Sequence, residues 1–267
     1  AQNENVDRGD LRMQVIERGT STPIDDAKIS ISYSGDPDST VEEVNTDASG
    51  MSETLTLDTP PLELSMQPSE VQPYAEYTIQ VTAKGYRPIN ISGIEVFSGQ
   101  LSLQEIRMDA EEATESMTDN IVIPAHTLFA EYPPKIAEAE IKPVTETGEI
   151  VLSRVVIPEY VIVHDGAPSD PTARDYYVRY RDYIKNVASS EIYSTWPDAT
   201  IRANVLAIMS FTLNRVYTEW YRNKGYSFTI TSSTAYDQKF MYGRNIYQSI
   251  SDVVDEMFQN YLSRPNV

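Results

Sequence analysis

The chain contains no cysteine among its 267 residues. That excludes disulfides, thiolate zinc centres and cysteine nucleophiles in one step, without fixing a compartment. Histidine is nearly as scarce, with two residues, so histidine-rich metal sets are out of reach. Positive charge is thin as well: 21 Lys and Arg face 40 Asp and Glu, for a net charge of -19. Residues 1–120 hold 23 acidic and 7 basic side chains, net -16; residues 121–267 hold 17 and 14, net -3. Phosphate backbones and anionic lipid surfaces require clustered cations, so neither nucleic acid nor a membrane surface is expected as a partner. A run of about 18 apolar residues is also missing, so no membrane span is predicted. The basic start and apolar stretch of a secretory leader are not read at Ala1.

What is present suffices for folded cores: 40% hydrophobic and 10% aromatic residues. The length predicts two compact units. Residues 1–109 show short alternating runs between turn residues, the mark of half-buried antiparallel strands. The predicted strands are Leu11 to Ile16, Ala27 to Tyr33, Glu42 to Thr46, Ser52 to Leu57, Tyr77 to Ala83 and Leu101 to Met108. Turns are expected at Gly35-Asp36-Pro37 and Asp47-Ala48-Ser49-Gly50. This describes a small β-sandwich. The acidic loops Asp36 to Asp38 and Asp47 lack EF-hand spacing and read as solvated turns.

Residues 110–149 read as a linker, acidic from Asp109 to Asn120 and then carrying Pro124, Pro133, Pro134 and Pro143. Proline fixes φ and removes donors, so extended chain packed along a surface is expected there. His126 stands without a second histidine at ligand spacing and receives no function.

Residues 150–267 form the third segment. Strands are predicted at Ile150 to Pro158 and Tyr160 to Val163, followed by a polar loop with His164 and Asp165. Adjacent residues cannot form a nucleophile–base–acid relay, and no GxSxG elbow is present. A helix is predicted over Asp182 to Glu191, with Tyr183, Ile184, Val187 and Ala188 on one face. Glu191, four positions beyond Val187, points toward that packed face. Desolvation there would raise its carboxyl pKa, as a general acid requires. The residues alone leave open a solvated helix terminus instead. Beyond Trp196-Pro197-Asp198, a helix is predicted to about Lys224, then a strand over Phe228 to Thr231, and a last helix over about Asn245 to Leu262.

Two resemblances add to this reading. Thr22 to Ile29, the Thr46 to Gly50 turn and Tyr77 to Tyr86 resemble the carboxypeptidase-regulatory-like, transthyretin-like sandwiches, which implies a docking module. Tyr183 to Ile192, Trp196-Pro197 and Ile201 to Ala207, followed by Phe228 to Gly243 with Thr234, Gln238 and Gly243 matching, resemble the SpoIID family of peptidoglycan lytic transglycosylases. The order of sandwich, proline-rich tether and Ile157 to Tyr160 is similar to clostridial spore cortex-lytic enzymes of the SleC type. The fold implied is α+β: an N-terminal sandwich pro-domain, the tether, and the N-terminal portion of a mostly helical catalytic domain.

Those resemblances imply that Glu191 is the catalytic acid, that Ser189, Ser190, Tyr236 and Gln238 hold sugar, and that no cofactor or metal takes part. Where some family members carry Cys and His for zinc, this chain has Tyr236 and Asp237; where an arginine contact is found, it has Ile208-Met209. The partners implied are peptidoglycan glycan strands, an activating subtilisin-like protease cutting near Ser153-Arg154-Val155, and a missing C-terminal half of the catalytic domain. The site of action implied is the spore cortex or coat region, or the cell wall outside the cell. A non-catalytic spore or cell-surface protein that binds peptidoglycan remains the other reading.

Overall fold

The computed structural model describes residues 6–111, 117–137, 152 and 154–263. It is mixed in class, with twelve strands and four α-helices among those residues. The chain divides into two compact units.

The first unit comprises the chain to Ala125 together with Tyr193–Trp196 and Tyr242–Ser249. Its strands are β1 (Asp7–Glu17), β2 (Lys28–Tyr33), β3 (Asp36–Asn45), β4 (Leu55–Thr59), β5 (Ala75–Thr82), β6 (Ile89–Val96), β7 (Leu101–Met108), β8 (Asp119–Val122) and β12 (Ile246–Tyr247). One sheet has the order β3-β2-β5-β6-β8 and the other β12-β7-β1-β4. Alternate residues of β1, Leu11, Met13 and Val15, are fully buried, as are Ile31, Tyr77 and Ile79 of the facing sheet. Period-two burial of this kind is what a pleated strand imposes when one face meets the core. A one-turn helix, α1 (Glu63–Met66), lies between β4 and β5.

Two strands form where a linker or a helix was expected. β8 falls inside the predicted linker, where Ile121 and its neighbours pair in parallel with Ile89 to Ser92 of β6. β12 falls inside the predicted last helix, and pairs antiparallel with Leu103 and Ser102 of β7. The segment carrying β12 is pinned from several sides. Asn245 Nδ2 donates to the Glu95 carbonyl at 2.8 Å, and Gln104 Nε2 donates to the Gly243 carbonyl at 2.9 Å. Arg244 and Glu95, both fully buried, form an ion pair at 3.1 Å, with the Tyr247 hydroxyl donating to the same carboxylate oxygen at 2.9 Å. Burial pushes the Glu95 carboxyl up, and the Arg244 charge opposes that.

The second unit comprises His126–Ile192, Pro197–Met241 and Ile250–Val267. Its sheet has the order β10-β9-β11, from β9 (Tyr160–His164), β10 (Asp175–Arg179) and β11 (Ile230–Thr231). The helices are α2 (Tyr180–Glu191), α3 (Asp198–Tyr217) and, from Ile250 on, α4 (Gln248–Met257). Helix α3 stops seven residues short of the predicted end, because Glu219 takes a left-handed φ of 48° and a 3-10 turn over Arg222–Lys224 follows, closed by Gly225 at φ 86°. The strand predicted before Pro158 is not formed at 154–158; Ile150, Val151 and Ser153 lie outside the described residues.

Candidate functional site

Helix α2 turns its small residues inward. Val187, Ala188, Ser189 and Ser190 are all fully buried, so the helix end sits deep in the unit. Glu191 is its last helical residue, before Ile192 adopts extended backbone and leaves the helix. The carboxylate is half-buried, and its Oε1 accepts the Lys239 N–H at 2.8 Å. Burial raises the Glu191 carboxyl above its ordinary value, against lowering contributions from that N–H and from the Lys135 charge. A helix C-terminus carries partial negative charge and works in the same direction as burial.

The partner of α2 is the loop from Ser232 to Met241. Asn186 clamps one end twice, donating to the Met241 carbonyl at 2.8 Å and accepting the Met241 N–H at 2.9 Å. Asp237 anchors the other end. Its carboxylate accepts Arg215 Nε at 2.7 Å, the Tyr221 hydroxyl at 2.5 Å, the Thr231 N–H at 2.9 Å and the Thr231 hydroxyl at 2.7 Å. Arg215, 1% exposed, lies beside the Phe211 and Trp220 rings at 4.5 and 4.3 Å. This network sets the height at which the Lys239 amide meets Glu191.

The expected sugar-holding residues sit differently from one another. Ser190 is fully buried and its hydroxyl donates to the Asn186 carbonyl at 2.8 Å; Ser189 is fully buried on the same helix. Gln238 is buried with its amide in use: Oε1 accepts the Tyr183 and Thr212 hydroxyls at 3.2 and 3.0 Å, and Nε2 donates to the Ile208 carbonyl at 3.1 Å. These three build the frame behind Glu191. Tyr236 is half-buried on the loop, next to Asp237. Of the expected processing residues, Arg154 is exposed and Val155 half-buried, while Ser153 lies outside the described residues.

Several residues at the site had no role in the sequence reading: Asn186, Lys135, Thr212, Arg215 and Lys239. One had left a signal. Positions 201, 205, 208, 212 and 215 repeat at helical spacing and are all buried, which puts Arg215 on the core stripe of α3. An arginine there needs a carboxylate.

The second polar cluster is at His164. Its Nδ1 meets Asp175 Oδ1 at 2.7 Å, not the neighbouring Asp165, and its Nε2 faces the carbonyls of Ala167 and Asp170 at 3.2 and 3.1 Å. The ring stacks on Phe228 at 4.3 Å. A cleft of about 530 Å³ opens beside it, lined in part by Asp170, Asp175 and Tyr226. With both ring nitrogens facing acceptors, His164 ties a loop to a strand.

No family model and no curated protein matches the chain. Among solved structures the chain is similar to the Bacillus anthracis TIE protein, at 15% identity and TM-score 0.27, over 39% of this chain and 17% of that one. Klebsiella pneumoniae 5-hydroxyisourate hydrolase is similar at 15% identity and TM-score 0.26, over 39% and 92%. The Streptococcus agalactiae minor pilin GBS52 is similar at 11% identity and TM-score 0.28, over 41% and 47%. The chain thus spans less than half the length of the first and third, and at these scores none of the three identifies an activity.

Proposed function

We propose that the chain carries the acid of a peptidoglycan lytic transglycosylase acting on spore cortex, with Glu191 as that acid. The observation that supports this most is the Glu191 carboxyl itself: raised by burial, placed at the end of a helix, and held by a backbone N–H. A raised carboxyl pKa keeps more of the group protonated at a given pH than an exposed glutamate, which is the direction a proton donor requires.

In the proposed step, Glu191 gives its proton to the glycosidic oxygen between N-acetylmuramic acid and N-acetylglucosamine as the bond from C1 to that oxygen breaks. The muramic C6 hydroxyl then attacks C1 and gives its proton to Glu191, forming a 1,6-anhydro ring and restoring the acid. Because the nucleophile is internal to the sugar, no second carboxylate is needed to activate water or form an adduct. The Lys239 N–H keeps the carboxyl aimed through both halves of the step. Ser189, Ser190 and Gln238 act by fixing the helix end and the loop, and Tyr236 is the member of the expected set with surface to offer a sugar.

The reading is tested by digesting purified cortex with the full chain, with chain cut in the 138–155 region, and with Glu191→Gln of each. Anhydro-muropeptides counted by mass spectrometry should fall about 10²-fold or more in the Gln variant, the usual weight of a general acid. Equal release by the parent and the variant would remove Glu191 from the chemistry. The burial of Ser189, Ser190 and Gln238 withholds them from a sugar, which counts against a complete catalytic groove and leaves a second reading, a peptidoglycan-binding protein without catalysis. Cosedimentation with cortex and no anhydro product from any form would select it.

A further inference from the structure

A helix leaves the carbonyls of its last turn without partners of its own, and a buried helix end must find donors elsewhere. At the end of α2 the Ala188 carbonyl is satisfied locally, accepting the Ile192 N–H at 3.0 Å. The Ser190 carbonyl is satisfied from a distance. The Thr127 N–H and hydroxyl both donate to it, at 3.2 and 2.8 Å, from 63 residues earlier in the chain. His126, fully buried, accepts the Leu128 N–H at Nδ1, so Nε2 carries the proton and donates to the Ile192 carbonyl at 3.2 Å. Ser190 and Ile192 are the two chain neighbours of Glu191, whose backbone is therefore held on both sides. The same stretch, expected to be tether, also reaches the loop that faces α2. Ile136 N–H donates to the Ala235 carbonyl at 2.7 Å, and Lys135 Nζ donates to the Asp237 carbonyl at 3.1 Å while lying 4.4 Å from the Phe211 ring. That loop carries the Lys239 amide on which the Glu191 carboxylate rests.

From this geometry we propose that Thr127 and Lys135 are positioning residues for Glu191, Thr127 as a helix cap supplied by distant chain and Lys135 as the tie to the loop that meets the carboxylate. The inference deepens the reading of Glu191 as an acid, and its catalytic meaning rests on that reading. His126 seats the arrangement permanently, because a fully buried ring cannot leave without opening the core. With Thr127 and His126 holding the backbone and the Lys239 amide holding the carboxylate, both ends of the Glu191 side chain are defined. Lys135 adds an electrostatic contribution. Its charge favours the ionised form of Glu191, against the burial that favours the protonated one. A group that gives a proton in one half of a step and takes one in the other needs both forms within reach, and the opposed influences supply that poise.

The experiment uses full-length variants and two measurements by nuclear magnetic resonance. Thr127→Val removes the hydroxyl donor at nearly constant volume, and Thr127→Ser keeps it. Amide hydrogen exchange is read at Lys239, whose N–H is held by Glu191, against Met241, whose N–H is held by Asn186. General loosening of the loop raises both rates together, whereas displacement of Glu191 raises that of Lys239 alone. In Thr127→Val the Lys239 rate should rise about fivefold relative to Met241, the order set by losing one hydrogen bond, and Thr127→Ser should restore the parent ratio. An unchanged ratio in Thr127→Val, or an equal change in Thr127→Ser, would overturn the cap. Lys135→Met and Lys135→Arg change an exposed position, and the Glu191 carboxyl carbon is titrated in each, assigned with Glu191→Gln. The midpoint should move to higher pH in the Met variant and stay in the Arg variant; an unmoved midpoint in the Met variant would overturn the part given to Lys135. Cortex digestion separates positioning from chemistry. A lower kcat at unchanged KM in Thr127→Val supports both ideas. A changed exchange ratio with release that neither Thr127→Val nor Glu191→Gln reduces keeps the positioning and removes the acid.

Discussion

Replacing Asp237 by Asn tests whether a buried ion pair holds the loop that presents Lys239 to Glu191. The substitution keeps volume and removes charge, so it leaves the Arg215 guanidinium 1% exposed and without its carboxylate. Breaking a buried pair from one side costs about 3–5 kcal/mol, because the remaining charge cannot return to water. Phe211 and Trp220, at 4.5 and 4.3 Å, retain part of the cation's stabilisation, which favours the lower end of that range. Against a typical total of about 5–15 kcal/mol, this is a large share of one unit's stability. With an m-value of about 2 kcal/mol per M urea, the midpoint should fall by about 1.5–2 M. The assay is urea unfolding followed by tryptophan fluorescence in a Trp196→Phe background, where Trp220, the second of two tryptophans, reports on Arg215 directly. A loss below about 1 kcal/mol would refute the reasoning, since only an exposed or re-paired Arg215 is that tolerant. The double variant Arg215→Met, Asp237→Asn removes the orphaned charge and should recover more than half of the loss. Failure to recover any of it would show that packing, not charge, is what Asp237 supplies.

Other outcomes follow from single features. Glu191→Gln should stabilise the second unit at neutral pH and not at pH 4. The folded pKa is raised, so between the unfolded and folded values the native state binds more protons than the unfolded one, and wild-type stability falls as pH rises through that window. Denaturation at several pH values checks this, and a gap that widens on acidification would contradict it. Gly243→Ala should destabilise the first unit by about 1–2 kcal/mol, since φ is +77° and a Cβ would sit 2.9 Å from Ile121 Cγ2. Thermal melts test it. Asn186→Ala breaks the double clamp on Met241 and should cost about 1–3 kcal/mol through the orphaned backbone groups, with faster hydrogen exchange at Met241 and Lys239.

Where burial alternates along one strand, the fold was legible from local pattern. Leu101 to Met108 was read with its observed ends, and β1, β2 and β5 within a few residues, because each alternates over most of its length, with Val15-Ile16 and Ile31-Ser32 the buried neighbours that break the period. β6 was missed although Ile89, Ile91, Ile94 and Val96 are buried: Gly93, at φ +81°, shifts the register and breaks the alternation. β8 and β12, with four and two residues, are too short to carry a pattern of their own. They become strands only when the edges of β6 and β7 offer unpaired N–H and C=O groups.

Glu191 shows the same division. Its place on the packed side of a helix end follows from the spacing of Tyr183, Ile184 and Val187, and the small residues beside it told of burial. What the sequence by itself determined was therefore the helical face on which the carboxyl lies, leaving open whether that helix end is packed or solvated. The tertiary structure decided what meets that carboxyl: a backbone N–H from Lys239 and the charge of Lys135, brought from 48 residues after and 56 residues before it. Local spacing fixes which face a side chain takes, because helical and pleated geometry are short-range. Its partners come from distant chain, and they are fixed only when buried polar groups such as Asp237 and Arg215 satisfy one another.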